Sequence, residues 1–209
     1  MIARAVLVVR ASLLALAVQA CATAPSRNGA EGDSRGSAPV VVLVRHAEKA
    51  PLPANDPVLS TAGMMRAGAL DAELRDMPIR DVVVSHLQRT RLTASVVIAR
   101  AQPVVHVVPI GAGGAAAHIR AVADTVRAIA KQRGQGGILV VGHSNTVTQI
   151  VGALGAGTLP ELCDSQYSQL FRVTLPNTGS PTLARSVYGA PDPSDPSCAA
   201  SAPGMLQRP

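Results

Sequence analysis

The chain has no tryptophan, two tyrosines and one phenylalanine in 209 residues. So few rings offer no platform on which bases could stack, and no run of lysines or arginines is present to track a phosphate backbone. Nucleic acid is therefore not expected as a partner. The formal charge of +6 comes from scattered arginines and lysines, which read as solvated surface. Cysteine is scarce as well: Cys21, Cys163 and Cys198 are too far apart for a zinc knuckle. Neither a Rossmann nor a P-loop spacing occurs, since the Gly111-Ala112-Gly113-Gly114 stretch fits neither pattern. No cofactor or metal is expected. What the chain does have is aliphatic residues, and its 47% hydrophobic content must build a core of Val, Leu, Ile and Ala.

The first twenty residues read as a signal peptide. Arg4 and Arg10 precede a short apolar stretch, Ala11–Ala20, too short for an ordinary transmembrane helix. Removing it leaves a modestly basic mature protein. Val18-Gln19-Ala20-Cys21 resembles the lipobox of bacterial lipoproteins, with Gln19 an unusual middle residue. The resemblance implies cleavage before Cys21 and lipid attached to its sulfur. Ala22, where an aspartate would retain the protein at the inner membrane, points to a periplasmic protein anchored by its lipid in the outer membrane. Cleavage near Ala20 or Ala24, giving a free periplasmic protein, is the alternative. In an oxidising compartment Cys163 and Cys198 either pair as a disulfide or remain two thiols.

Residues 21–38 are rich in Gly, Ser, Ala and charge, as a flexible tether would be. Residues 189–209 are rich in proline and serine, which predicts a disordered tail. The folded domain is then 39–188. Within it, strands are expected near 40–45, 81–85, 103–108, 137–141, 168–175 and 182–188. Helices are expected near 61–76, 89–101, 115–133 and 146–155, the first with Ser60 as N-cap. Strand and helix in alternation predict an α/β three-layer sandwich, a mostly parallel central sheet with helices on both faces. The non-alternating run Val40–Val44 suits a strand buried on both sides.

Three of these strands end in polar residues. The first delivers Arg45-His46, the second Ser85-His86-Leu87-Gln88-Arg89-Thr90, and the fourth Gly142-His143-Ser144-Asn145. Ligands bind outside the carboxyl ends of strands in open α/β sheets, so a parallel arrangement brings all three sets to one crevice. Two imidazoles, two guanidiniums and helix N-termini there would bind a dianion.

Arg45-His46-Ala47-Glu48 resembles the R-H-G-E signature of the histidine phosphatase superfamily, the phosphoglycerate mutase-like proteins, with Ala47 in place of its glycine. Leu59-Ser60-Thr61-Ala62-Gly63 with Arg66-Ala67 is similar to that family's L-T-x-x-G-x-x-R-A helix entry. Ser85–Thr90 with Thr93-Ala94 resembles its S-x-x-x-R-T-x-x-T-A segment, and Gly142-His143 its late G-H pair. The resemblance implies a small member of the family, a phosphoric monoester hydrolase. In it His46 accepts the phosphoryl group as a phosphohistidine, while Arg45, Arg89 and His143 hold the phosphoryl oxygens. His86 and Asn145 are candidate substrate contacts; a solvated loop residue and a helix cap are their simpler readings. Glu48 either orients the pocket or braces the strand–helix turn.

One part of the family pattern is missing. Many members carry an acidic residue after the third strand to protonate the leaving oxygen. Between Ala101 and Gly137 this chain has no Glu and only Asp124, which falls late in a helix. His118 is the candidate general acid in its place. Without such an acid the enzyme would favour substrates with good leaving groups. The non-enzyme alternative is an inactive or weak pseudo-phosphatase that binds phosphorylated ligands in the envelope. A serine-hydrolase elbow at Gly142–Thr146 fails because no histidine follows Ser144. His46-Ala47-Glu48 lacks the P-C-x-x-C of a zinc deaminase. Mutases share the motifs but are longer, which favours hydrolysis. The substrate class is left as a phosphorylated small molecule or an envelope sugar phosphate.

Overall fold

The computed structural model describes residues 38–195 and Cys198. The expected signal peptide, the expected lipidation site at Cys21 and nearly all of the expected tether fall outside the described residues. The element order is β1 (Val40–Arg45), α1 (Thr61–Glu73), β2 (Ile79–Val84), α2 (Gln88–Ala101), β3 (Val104–Val107), α3 (Gly114–Arg133), β4 (Gly137–Gly142), α4 (Val147–Ala153), β5 (Gln169–Thr174) and β6 (Thr182–Val187).

The six strands form one sheet in the order β3-β2-β4-β1-β5-β6. The first four are parallel; β5 runs antiparallel to β1, and β6 antiparallel to β5. Side chains alternate along each strand, so a strand buried on both sides feeds two cores. Val41 and Leu43 of β1 join Val83, Ile138 and Val140 beneath Ile119, Val122 and Val126 of α3 and Ile150 of α4. Val42 and Val44 face the other way, with Val82, Val84, Leu139 and Val141 beneath Leu70 of α1 and Val97 of α2. That division explains the unbroken aliphatic run. Each fully buried valine or leucine contributes about 1.5–3 kcal/mol relative to exposure.

The register places the chemistry. Arg45 pairs with Gly142, and Val84 pairs with Val141 on the other side of β4. The next residues along each parallel strand, His46, His143 and Ser85, therefore emerge side by side. The connection from β1 through α1 to β2 passes over the position of β4, while α3 returns on the opposite face. The polar strand ends thus lie at the switch point, where α/β sheets open a crevice.

The short edge strand β3 leaves Val104, Val105 and Val107 partly exposed. His106, expected only as a strand position, has a structural partner there: its Nε2 lies 2.9 Å from Oδ1 of Asp81. Asp81 is 1% exposed, and its second oxygen stands 2.7 Å from Arg133 Nε. A carboxylate so buried needs both partners. The chain beyond 188 also departs from the disordered tail that its prolines suggest, at least at its beginning. Asp192 accepts hydrogen bonds from the Tyr167 and Ser168 amides, both 2.8 Å, and from Ser168 Oγ at 2.7 Å.

The helix entry motif has a steric basis. Ser60 caps α1 by accepting from the Gly63 amide at 3.2 Å. The Glu48 carbonyl oxygen accepts from the Ser60 amide at 2.9 Å, and a Cβ on Gly63 would collide with that oxygen. Only glycine lets α1 approach the turn that follows His46. Arg66, one turn further on, grips the Glu48 carboxylate through Nε at 2.9 and 3.0 Å and Nη2 at 2.7 Å. Its Nη1 donates to the carbonyls of Tyr188 and Ala190. Glu48 is therefore a brace for the turn. Gly63→Ala is expected to lower stability by about 1–3 kcal/mol, the usual cost of overpacking, measured by urea unfolding. An unchanged midpoint would show that the turn can yield.

Candidate active site

His46 is the first residue beyond β1, held by its own amide donating to the Gly142 carbonyl at 2.9 Å. Its side chain is 5% exposed. The ring Nδ1 lies 2.8 Å from the Ala47 carbonyl oxygen. A carbonyl only accepts, so Nδ1 carries the hydrogen and the neutral ring keeps its lone pair on Nε2. That is the tautomer an attacking imidazole requires. The Ala47 amide donates in turn to Thr93 Oγ1 at 2.9 Å, and Thr93 donates to the Arg89 carbonyl at 2.7 Å. The Ser85–Ala94 segment is thus fastened to the turn that follows His46.

His143 lies beyond β4, its ring centroid 5.4 Å from that of His46 in an edge-on arrangement. Its amide donates to Thr146 Oγ1 at 3.0 Å, and its Nε2 stands 3.3 Å from Ser85 Oγ. Ser85 is in contact with Thr90 Oγ1 at 2.9 Å, which links the ends of β2 and β4 through α2. Arg45 is 3% exposed and donates from one nitrogen, Nη1, to the carbonyls of Cys163, Asp164 and Gln166. The Tyr167 ring covers its guanidinium at 4.0 Å. Arg89 opens α2, where Asp56 caps the helix by accepting from the Gln88 amide at 2.9 Å. The same carboxylate is 4.0 Å from Arg89 Nη1. The Nε atoms of both Arg45 and Arg89 are buried without a partner. Buried donors of this kind call for an acceptor.

The electrostatics follow from this crowding. Burial lowers the pKa of His46 to about 3, helped by the neighbouring His143 ring and the Arg45 and Arg89 guanidiniums. Burial likewise lowers His143 to about 3, with Arg89 the largest neighbouring charge. Both rings are neutral at neutral pH. The guanidiniums of Arg45 and Arg89 are also pushed down by burial.

The remaining sequence candidates sit around this group. His118 is 3% exposed at the start of α3, its ring 6.4 Å from that of His143 and its Nδ1 3.4 Å from the Pro109 carbonyl. Burial lowers its pKa. His86 is exposed at the mouth, where its Nδ1 accepts from the Ile110 amide at 3.3 Å. Asn145 is exposed on the turn before α4. Asp124 is on the outer side of α3 with Arg127. Cys163 and Cys198 are free cysteines, and the Cys163 thiol is raised to about 11 chiefly by its hydrogen bond with Cys198. Sequence reasoning missed Tyr167, Asp56 and Asp192. The only signal for Tyr167 is the rarity of aromatic residues.

Residues 41–110 match the model of the histidine phosphatase superfamily (branch 1). The matched stretch carries His46, the Gly63–Arg66 entry and Arg89. This part of the chain is similar to that superfamily, and the whole fold is consistent with the histidine phosphatase fold. The fold is shared with the protein histidine phosphatase SixA bound to tungstate, at 22% identity and a TM-score of 0.57, covering 71% of this chain and 96% of that one. It is shared also with a mycobacterial glucosyl-3-phosphoglycerate phosphatase in complex with VO3, at 18% identity and a TM-score of 0.52, covering 73% of this chain and 99% of that one. An alpha-ribazole phosphatase from Shigella flexneri matches at 17% identity and a TM-score of 0.51, covering 72% and 96% of the two chains. No curated protein matches by sequence.

The depressed imidazoles carry a sign for stability. Each is neutral in the fold yet protonates near 6.5 when unfolded, so the unfolded chain binds more protons at acid pH. Stability is fully present above 6.5 and is lost as pH falls toward about 3, by up to about 1.4 kcal/mol per pH unit per ring. Urea unfolding across that window should show this slope, and His143→Asn should reduce it. A slope indifferent to that substitution would place the titration elsewhere.

Proposed function

We propose that this protein is a phosphatase that hydrolyses phosphomonoesters through a phosphohistidine on His46. The observation that carries the reading is the Nδ1 hydrogen bond to the Ala47 carbonyl, which leaves Nε2 with its lone pair in a pocket of buried, unsatisfied guanidinium donors. In the first step Nε2 attacks phosphorus, a P–N bond forms and the ester P–O bond breaks. Arg45 and Arg89 stabilise the charge on the equatorial oxygens, and the neutral His143 supplies a further hydrogen bond. Water then attacks the phosphohistidine, releasing phosphate and restoring the imidazole. The neutral ring needs no base for the first step, because its pKa keeps the lone pair free.

Protonation of the leaving oxygen is the weak part of the apparatus. His118 lies close enough to His143 to reach the substrate side of the pocket, but burial lowers its pKa and leaves it a poor proton store. The preferred substrates are therefore phosphoryl compounds whose leaving group departs without a proton. The protein histidine phosphatase SixA and the glucosyl-3-phosphoglycerate phosphatase are solved structures of the same fold, and their names fit phosphoryl hydrolysis. The lipobox-like Val18–Cys21 would place the activity in the periplasm on a lipid anchor, where an envelope sugar phosphate is an accessible substrate. The second reading, a pseudo-phosphatase that binds phosphorylated ligands, rests on the same missing acid.

A panel of phosphomonoesters separates them. With para-nitrophenyl phosphate, wild type turns over and His46→Ala falls to background. Arg89→Ala loses about 10²–10³-fold in kcat, the cost of one transition-state donor. Alkyl phosphates should be slower on wild type, and His118→Ala should change the aryl rate little. Turnover that survives His46→Ala overturns the phosphohistidine mechanism, and binding without any turnover favours the second reading.

A further inference from the structure

We propose that Asp192 is a positioning residue for phosphate binding: through the Cys163–Ser168 loop it sets the Arg45 guanidinium. The proposal rests on the reading of the pocket as a phosphoryl site and adds to it a segment beyond the last strand.

The carboxylate nearest Arg45, that of Asp164, lies 3.6 Å from Nη2 and is almost wholly in solvent, so it holds the guanidinium weakly. Three carbonyls of one loop converge on its Nη1, those of Cys163 at 2.8 Å, Asp164 at 3.0 Å and Gln166 at 3.1 Å. The Tyr167 ring lies on the guanidinium plane at 4.0 Å, with its centroid 6.4 Å from the His46 ring. The loop thus fixes both the roll of the guanidinium and its tilt, leaving Nε as the unpartnered donor. Residues 155–168 contain no helix or strand, and only isolated backbone bonds tie the loop down, Leu162 amide to Ser144 carbonyl at 3.1 Å and Tyr188 amide to Ser168 carbonyl at 3.0 Å. Its own bonds, Gln166 amide to Cys163 carbonyl at 3.0 Å and Cys163 amide to Gln166 Oε1 at 2.9 Å, shape it without attaching it to the sheet.

Asp192 provides much of that attachment. Its Oδ1 accepts from two successive amides, Tyr167 and Ser168, at 2.8 Å each, and its Oδ2 from Ser168 Oγ at 2.7 Å. A carboxylate on consecutive amides is a charge-assisted clamp. It acts at the residue whose ring covers Arg45 and next to the three carbonyls that hold it. Ser165 Oγ adds contacts to Asp195 Oδ2 at 2.9 Å and Cys198 Sγ at 3.2 Å in the same segment. The chain after β6 thus meets this loop, which touches the pocket through Arg45 and Tyr167, while the Tyr188 and Ala190 carbonyls of that chain segment separately hold Arg66.

The test uses the full chain and inorganic phosphate, with binding read by calorimetry alongside kcat and KM on para-nitrophenyl phosphate and a thermal melt. Asp192→Ala is expected to weaken phosphate about tenfold and to lower kcat/KM in step, since small misplacements of a positioning group are costly. Asp192→Asn, which keeps an oxygen for the two amides, recovers most of the loss. In an Arg45→Ala background, Asp192→Ala should have no further effect on phosphate affinity, because the two act as one unit. A lowered melting temperature with unchanged phosphate affinity overturns the proposal, as does an equal loss with and without Arg45. A wild-type protein that neither binds phosphate nor turns over removes the site itself, a different failure from either of these.

Discussion

Everything in the site depends on positive charge held out of water without a matching carboxylate in contact. The carboxylates nearest to Arg45 and Arg89 stand at 3.6 and 4.0 Å, and that of Asp164 is almost wholly in solvent. Two imidazoles share the enclosure and respond by staying neutral. The fold tolerates this because β1, β2 and β4 end in register at the sheet's switch point, and their aliphatic cores fix the backbone beneath. In the proposed function, an arriving phosphoryl group would complete the charge balance that the chain leaves open. Affinity for a dianion and cost to the free protein are two sides of one arrangement.

The bracing around the pocket has a common form: backbone carbonyls and small hydroxyls hold the charged groups. Ala47 orients the His46 ring, Thr93 holds Ala47, and Ser85 meets His143. Carboxylates are used one step back, with Glu48 gripped by Arg66 and Asp192 gripping the loop under Tyr167. Neutral contacts near the His46 ring leave its electrostatics to the guanidiniums, whereas a carboxylate in contact would raise the imidazole pKa and trap the proton.

Much of the fold could be read from the chain alone, because its signals are local. Aliphatic runs stop at polar residues, Ser60 marks a helix entry, and glycines punctuate the turns, so the ten elements fall where periodicity puts them. The clustering of residues 45, 46, 89 and 143 was also legible, since parallel strands deliver their ends to one edge. What was not legible depends on contacts between distant, irregular segments. Nothing near Asp56 announces that it caps a helix thirty-two positions later in the chain. The proline-rich stretch after Gly189 has the composition of a disordered tail, yet Asp192 docks it through two amides whose availability only the tertiary fold reveals. Composition speaks of average behaviour; a single well-placed carboxylate overrides it.

The poverty in aromatic rings has one more effect. Each of the three rings lies over an arginine: Tyr167 on Arg45 at 4.0 Å, Tyr188 near Arg66 and Phe171 near Arg185, both at 5.8 Å. With no indole in the chain, near-ultraviolet emission comes from two phenols. One is sealed beside Arg66, and the other lies beside the His46 ring. Tyr167 is thus the ring placed to report on its own pocket, and its emission would register a change there without an added label.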